Sequence, residues 1–259
     1  MLADNIKNIG IIKDRVAGAG AYTELIILSG SHMYGFDSID SDLDYRGFFT
    51  MSTDRMLGIK SFSSHLHIGD KEGLDAELYE SRKLIGLLMT MNCNTLEHMF
   101  ATPLYQTINA IELRDIISDM LCKKGLYESY GGMARDNYRL FIKTGRKKTV
   151  KKYLYVFRAC LAGVHALETG RIEANIDKLL DKYPDPVVTS LVMQKRLGKE
   201  DDTLFNDRGL DEKVEEYESW LANSYKSSNL PEELTRQDYE RLDKWLKKVR
   251  KNYYEAMRE

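Results

Sequence analysis

The feature that most constrains this chain is a Gly-Ser dipeptide followed, after a short spacer, by two aspartates separated by one residue. The run 24–29 is mostly apolar, and it stops at Gly30-Ser31. This pattern predicts a buried strand that ends in a turn. A second strand beginning at Asp42 would carry Asp42 and Asp44 on one face, because alternate side chains of a strand point the same way.

Two carboxylates directed at one point predict a bound cation, because their mutual repulsion is relieved by a positive charge between them. Mg²⁺ is the expected ion, with Mn²⁺ as an alternative, since Mg²⁺ needs few carboxylates when phosphate oxygens complete its coordination. Beside it, Gly30 allows a close backbone approach, and the Ser31 hydroxyl offers a hydrogen bond to a phosphate. These groups together are typical of phosphoryl or nucleotidyl transfer.

The spacing of the motifs in this region resembles that of a known family. Gly30-Ser31 is followed by Tyr34-Gly35, then by Ser41-Asp42, Asp44 and Arg46-Gly47. This arrangement resembles the DNA polymerase β-like nucleotidyltransferases. Within them it is most similar to the predicted nucleotidyltransferases of bacteria and phages that are associated with RNA repair.

Three later segments extend the resemblance, which covers residues 24 to 171. Residues 75–84 resemble the strand that carries the family's third acid and runs into a helix. Residues 92–100 are similar to its Asn-Pro-Asn-x-x-Glu segment, with Cys93 in the place of the proline. Residues 151–158 resemble a basic helix that follows.

The resemblance implies an α+β fold, with a small mixed β-sheet nucleotidyltransferase core and flanking helices, followed by an all-α domain. It also implies a metal-dependent enzyme that transfers a nucleoside monophosphate from an NTP to a hydroxyl and releases pyrophosphate. An RNA end is the first expected acceptor, a protein side chain the second and a small molecule the third. The alternative is a non-catalytic module that binds a nucleotide or RNA.

The resemblance further implies a set of site residues. A third acid would complete the metal site, and both Asp75 and Glu77 fit this role, with Asp75 favoured by the family pattern. The expected catalytic acids are Asp42, Asp44 and Asp75, and the expected metal ligands are these three and Glu77. The expected nucleotide-binding residues are Gly30, Ser31, Arg46, Lys152, Tyr155 and Arg158.

Four of these expected residues depend on local geometry for their roles. Lys152, Tyr155 and Arg158 recur every three positions on a predicted helix, which puts them broadly on one face. That face could grip the β- and γ-phosphates, or it could be an ordinary solvated basic face. Arg46 has two equal interpretations, since it would either reach a phosphate or pair with a nearby carboxylate.

Composition restricts the class of protein. The 259 residues are 43% hydrophobic and 30% charged, and the formal net charge of −2 gives no overall basic field for nucleic acid. No apolar run approaches the roughly 20 residues of a membrane span, and the first residues lack the pattern of a secretory signal. Three scattered cysteines favour a reducing compartment. We therefore expect a cytoplasmic protein that does not enter a membrane.

The predicted elements change character near residue 105, which predicts a catalytic domain over residues 1–105 and a helical domain over residues 106–259. The first part carries a predicted helix over 4–17 and strands over 24–29, 42–50 and 73–79. The predicted helices of the second part are 106–122, 127–144, 148–169, 172–182, 186–197, 211–225 and 235–256.

Two short motifs have plain structural interpretations. Asn92 and Asn94 are expected to end and cap the helix that starts near Glu80, because Asn tolerates left-handed backbone geometry. His65 and His67 alternate as on a strand, and they are expected to lie on a strand face or in a loop, because the sequence shows no acid or cysteine partner for a metal.

Overall fold

The computed structural model describes residues 2–38, 41–69, 73–144, 148–198 and 209–256. This part of the chain combines a five-stranded mixed sheet with a large set of helices, which confirms the predicted α+β architecture. The strands are β1 (Ala21–Leu28), β2 (Asp44–Met51), β3 (His65–Gly69), β4 (Asp75–Glu80) and β5 (Pro103–Gln106).

Helices surround this sheet and make up most of the second half of the chain. They are α1 (Leu2–Gly18), α2 (Gly30–Tyr34), α3 (Thr53–Leu57), α4 (Ser81–Met89), α5 (Cys93–Phe100), α6 (Ile108–Asp119), α7 (Lys123–Asn137), α8 (Val150–Thr169), α9 (Ile176–Lys182), α10 (Pro186–Leu197), α11 (Leu210–Ser227) and α12 (Arg236–Ala256). A π-helical segment, Tyr138–Lys143, continues α7. No helix in the described residues is both long enough and apolar enough to cross a lipid bilayer.

The order of strands across the sheet is β3-β4-β2-β1-β5. Strands β2 and β4 run parallel, and every other neighbouring pair is antiparallel. The parallel register pairs Asp44 with Asp75 and Arg46 with Glu77. Paired residues of neighbouring strands project to the same face, so this register aligns the acidic positions of two strands that are distant in sequence.

The two faces of the sheet are covered by different elements. On one face, Ile12 and Val16 of α1 pack with Ile26, Tyr45 and Phe49. The other face, which carries Phe48, packs against the helices that follow the sheet. Because side chains alternate along β2, Asp44 and Arg46 belong to the face of Phe48. The acids therefore face the helical part of the protein.

Helix α12 returns to the sheet at the end of the chain. Its Tyr253 ring stacks on Tyr22 of β1 with 3.9 Å between centroids, and Arg250 donates to Glu80 of β4 at 2.9 Å. Trp245 contacts Phe48 at 6.5 Å between centroids. These contacts cross the boundary predicted at residue 105, which stays a prediction.

The strands match the sequence patterns in part. Predicted strands 24–29 and 73–79 correspond to β1 and β4, but the strand predicted over 42–50 begins at Asp44. Asp42 therefore precedes the strand and is exposed, so the shared strand face predicted for Asp42 and Asp44 is wrong. Strands β3 and β5 were not predicted, because they are only five and four residues long.

Most predicted helices are present with shifted ends. The helix predicted over 172–182 begins at Ile176, and the one over 127–144 begins at Lys123 and becomes π-helical. The expected C-terminal cap at Asn92 is wrong. Asn92 is the N-cap of α5, where its Oδ1 accepts a hydrogen bond from the Thr95 backbone N–H at 3.0 Å.

Candidate active site

The Gly-Ser turn lies directly against Asp44. The Ser29 backbone N–H donates to the Asp44 carbonyl at 2.8 Å, which holds the end of β1 beside the start of β2. Gly30 has a φ of 62°, a left-handed conformation that favours glycine. A Cβ atom on Gly30 would lie 2.7 Å from Oδ2 of Asp44, so glycine is what allows this carboxylate to approach the turn.

Asp44 and Asp75 face each other across the parallel pair of strands. Burial raises the pKa of Asp44, and the nearby carboxylates of Asp75 and Asp42 raise it further, while Arg46 opposes the change. The pKa shift reflects a site in which negative charge is concentrated and partly removed from water. Such a site is stabilised by any cation that binds between the carboxylates.

Arg46 supplies one positive charge to this group of acids. Its guanidinium is 3.5 Å from Oδ2 of Asp75, 3.9 Å from Oδ1 of Asp44 and 3.8 Å from Oε2 of Glu77. Of the two interpretations of Arg46, the structure shows pairing with carboxylates. These distances mostly exceed those of strong hydrogen bonds, so the interaction is a loose electrostatic one.

The donor chemistry of the site fits a hard divalent cation. Among the described residues, no three His, Cys, Asp or Glu side chains are arranged to hold a metal by themselves. Mg²⁺ does not require such a cage, because one or two carboxylates and the phosphates of a substrate are enough. Oδ1 of Asp75 is buried and makes no hydrogen bond of acceptable geometry within the described chain. Asp44 and Asp75 therefore offer the oxygen ligands that Mg²⁺ prefers.

His65 and His67 lie beside the acids, on edge strand β3. His67 Nδ1 is 3.6 Å from Oδ1 of Asp75, and His65 Nε2 is 3.9 Å from Oε2 of Glu77. Both histidines lie on a strand, which is one of the two expected alternatives, but contrary to the expectation they do have acid partners. Sequence reasoning missed these partners because the pairing of β3 with β4 brings together residues that are not neighbours in the chain.

A cleft of about 260 Å³ opens beside Asp44 and Glu77. Asp44, Arg46 and Glu77 from the sheet contribute to it, and the aromatic residues Tyr79 of β4 and Tyr155 of α8 also line it. The remaining lining residues are Ser29, Gly30, Tyr34, Gly47, Asn94 and His98. Tyr79, Asn94 and His98 were not among the residues predicted for the site.

The three residues expected on a basic helical face have different environments. Tyr155 lines the cleft and packs edge-on against Tyr34 and Phe36, with 5.6 and 5.7 Å between centroids. Lys152 is half-buried, one turn earlier on α8. The exposed position expected for Arg158 is wrong, because its side chain is completely buried.

Arg158 instead forms a buried ion pair with Glu97. Its Nη1 donates to Oε1 of Glu97 at 2.6 Å, and both side chains have no solvent exposure. The Glu97 carboxylate keeps the pKa of Arg158 above its ordinary value despite the opposing effect of burial. The guanidinium also lies 3.7 Å from the centre of the Tyr34 ring, so Arg158 packs against α2 and stabilises its position.

His98 links α5 to the Gly-Ser turn. Its Nε2 is 3.0 Å from the Ser29 hydroxyl, and burial lowers its pKa to about 4, with Arg46 and Arg158 acting in the same direction. His98 is therefore neutral at physiological pH. The signal that could have found it is its place in the segment 92–100, which was singled out for its resemblance to the family.

Comparison with known proteins identifies a matching family model and a curated relative. The model of the RNA repair pathway DNA polymerase beta family matches residues 21–248. The uncharacterized protein YcgL of Bacillus subtilis (strain 168) is 29% identical over 136 residues, an alignment that spans about half of each protein (52% of this chain and 52% of the relative).

A solved structure of a nucleotidyltransferase-like protein from Exiguobacterium sibiricum 255-15 is also similar. It is 12% identical with a TM-score of 0.32, and the alignment covers 86% of this chain and 74% of that one. The family model covers more of this chain than the alignment with YcgL, and its range includes the Gly-Ser turn, the acids, Glu97 and Arg158. The chain belongs to the RNA repair pathway DNA polymerase beta family.

Proposed function

We propose that this protein is a metal-dependent nucleotidyltransferase that moves a nucleoside monophosphate from an NTP to a hydroxyl group and releases pyrophosphate. The observation that carries the proposal is the alignment of Asp44 with Asp75 on parallel strands, directly beside Gly30. Carboxylates next to a turn that a phosphate can approach closely are the groups that this chemistry needs.

The metal ligands in this proposal are Asp44 and Asp75, with Asp42 at the entrance to β2 and Glu77 next along β4. Mg²⁺, or Mn²⁺ in its place, would neutralise charge on the attacking and leaving oxygens when bound there with the triphosphate. Arg46 would keep the carboxylates in position, since it lies within 4 Å of three of them.

The chain's own groups would orient the nucleotide. The Gly30 backbone and the Ser31 hydroxyl would bind phosphate oxygens, and neutral His98 would hold the turn through the Ser29 hydroxyl. Tyr155 would line the side of the cleft formed by α8, with Lys152 one turn away toward the phosphates. Arg158 would act on α2 through Tyr34 without touching the nucleotide.

The proposed acceptor is an RNA end, and this choice is supported by the RNA repair description of the family. A protein side chain is the second candidate and a small molecule the third. A non-catalytic module that binds a nucleotide or RNA is the competing class. The presence of Asp42, Asp44 and Asp75 favours catalysis over this class, because a module that binds through basic residues alone has no need for the acids.

The test is label transfer from each α-labelled NTP with Mg²⁺, offered total RNA, protein or neither. The double variant Asp42→Asn/Asp44→Asn is compared with wild type and with Asp54→Asn, which changes an exposed aspartate on α3. We expect label on RNA with wild type and Asp54→Asn and none with the double variant. Label on protein would identify the second acceptor class.

If no label is transferred, measurements of NTP binding would distinguish the remaining possibilities. If Mg²⁺ strengthens NTP binding and Asp42→Asn/Asp44→Asn removes that effect, the metal site stands and the acceptor is a small molecule. If NTP binding is absent or indifferent to Mg²⁺ and to these substitutions, the transferase proposal is wrong and the binding module is correct.

A further inference from the structure

A small aromatic and basic surface adjoins the cleft through Tyr79, which lines it. It consists of His65 on β3, Tyr79 on β4 and Lys83 on α4, and we refer to it as the Tyr79 patch. The rings of His65 and Tyr79 are 5.2 Å apart between centroids with an angle of 38° between their planes. The Lys83 ammonium lies 4.7 Å from the centre of the Tyr79 ring.

This patch is continuous with the acids. Tyr79 lines the cleft together with Glu77 and Asp44, and His65 Nε2 is 3.9 Å from Glu77 Oε2. Tyr79 and His65 are partly accessible, and Lys83 is exposed. The patch belongs to the β3 edge of the sheet, whereas the Gly-Ser turn follows β1 on the other side of β2. A molecule on the patch would therefore reach the acids from the side away from the phosphate-binding turn.

We propose that the Tyr79 patch binds the terminal nucleotide of a single-stranded RNA acceptor, an inference that rests on the proposed transferase function. A base can stack on partly accessible aromatic rings, and every base has a face suited to this contact. Lys83 supplies a cation for the adjoining phosphate. The strand must be unpaired at its end, because the last base of a duplex is already stacked on its neighbour.

The same features speak against a protein acceptor at this patch. A Ser, Thr or Tyr hydroxyl in a polypeptide brings no phosphate to Lys83 and, for Ser and Thr, no ring to Tyr79. The partly accessible pair of rings next to a cation is instead the combination found in sequence-tolerant single-strand binding. The formal net charge of the chain is −2, so it has no overall attraction for a polyanion such as RNA. Binding of the strand end does not need one, because the proposed contact is local.

Fluorescence anisotropy with a 5′-labelled ten-nucleotide single-stranded RNA would test the proposal. We expect Tyr79→Leu to weaken binding about tenfold, the scale of one base stacked on an aromatic side chain, and Tyr79→Phe to bind within about twofold of wild type because the ring is kept. Lys83→Gln should weaken binding and reduce its salt dependence. Lys226→Gln, an exposed lysine on α11, should change neither.

The same strand annealed into a blunt duplex should bind more weakly and be insensitive to Tyr79→Leu. The proposal is overturned if Tyr79→Leu, with thermal unfolding like that of wild type, binds the single strand normally, or if duplex and single strand bind alike. Should Tyr79→Leu unfold, the contrast between Lys83→Gln and Lys226→Gln decides instead. Equal salt dependence in those two variants would also overturn it.

Mg²⁺-dependent NTP binding separates this proposal from the transferase function. Tyr79→Leu should keep NTP affinity, whereas Asp44→Asn should lose the effect of Mg²⁺. If Asp44→Asn changes nothing, the transferase proposal fails, yet the RNA measurements still decide whether the Tyr79 patch binds a strand end.

Discussion

The guanidinium of Arg158 contacts the carboxylate of Glu97 at 2.6 Å, and neither side chain is exposed to solvent. The two residues are 61 positions apart and join α5 to α8. Tyr34 lies on the face of the same guanidinium, so the pair also supports α2, the short helix that begins at Gly30. The ion pair thus holds α2, α5 and α8 in fixed positions relative to one another.

Breaking this pair should strongly destabilise the protein. Glu97→Gln or Arg158→Met leaves a buried charge without its partner, and each should lower the free energy of unfolding by about 3–5 kcal/mol. The double variant should lose less than the sum of the two. Urea unfolding at pH 7 measures both effects. Asp136→Asn, which breaks the exposed pair with Arg139, should change stability by no more than about 0.5 kcal/mol.

Position 30 should require glycine because of its backbone conformation and its contact with Asp44. Gly30→Ala adds a Cβ atom 2.7 Å from Oδ2 of Asp44 and keeps a φ of 62° that alanine disfavours. We expect a loss of about 1–2 kcal/mol in stability and a loss of Mg²⁺-dependent NTP binding. Gly86→Ala on α4 is the control, because its Cβ would meet nothing within 4 Å and should stabilise the helix. Normal NTP binding by Gly30→Ala would contradict the proposed close approach.

The buried His98 should make stability depend on pH. Its pKa is lowered to about 4 by burial, so between pH 6.5 and about 4 the unfolded imidazole takes up a proton that the folded one does not. Stability should therefore fall as the pH decreases through this window, by up to about 1.4 kcal/mol per pH unit from this group. Urea unfolding from pH 7 to pH 4.5 should give a shallower dependence for His98→Asn than for wild type.

Nuclear magnetic resonance provides an independent measurement of the same group. The ring signal of His98, assigned by its absence in His98→Asn, should not titrate above pH 5. A midpoint near 6.5 would contradict the burial of this imidazole.

The identity of the third acid should emerge from two matched substitutions. Asp75 is paired in register with Asp44, whereas Glu77 is paired with Arg46. Under the proposed function, Asp75→Asn should reduce the rate of pyrophosphate release by about 100-fold or more, because loss of the metal is worth several kcal/mol in the transition state. Glu77→Gln should have a smaller effect. The reverse order would make Glu77 the ligand.

Buried Glu24 should depend on α12 for one of its hydrogen bonds. The Tyr253 hydroxyl donates to Oε1 of Glu24 at 3.0 Å, and Thr50 donates to the same oxygen at 2.8 Å. Tyr253→Phe removes one donor to a fully buried carboxylate and should lower the free energy of unfolding by about 1.5–3 kcal/mol. Tyr239→Phe, on an exposed part of α12, should have no measurable effect. Similar stabilities of the two variants would argue against this contact.

The parts of the site that could be predicted are those fixed by local sequence. The apolar run before Gly30, the glycine itself and the strand carrying Asp75 follow from strand periodicity and turn chemistry. The family resemblance added the role of the acids and is confirmed at the level of the family. Helix α8 was also predicted nearly to its ends, since it contains a long and strongly periodic pattern.

The parts that could not be predicted depend on contacts between distant segments. A period of three put Arg158 on a face with Lys152, but α8 is so largely buried that Arg158 needs an internal partner, which a helical period alone does not identify. His65 and His67 acquired acid neighbours only through the register of β3 with β4. The prediction that Asp42 lies on a strand is wrong, because β2 begins two positions later, at Asp44.

The attachment of α12 to β1 has a consequence for how this protein is made. Glu24 is separated from Tyr253 by 229 positions, so the first strand emerges from the ribosome long before the helix that completes its surroundings. During that interval the sheet would carry a carboxylate that lacks one of its final donors and an apolar surface that lacks Trp245. Contacts at such long separation slow folding, and the nascent chain would be exposed to chaperones and proteases until α12 docks.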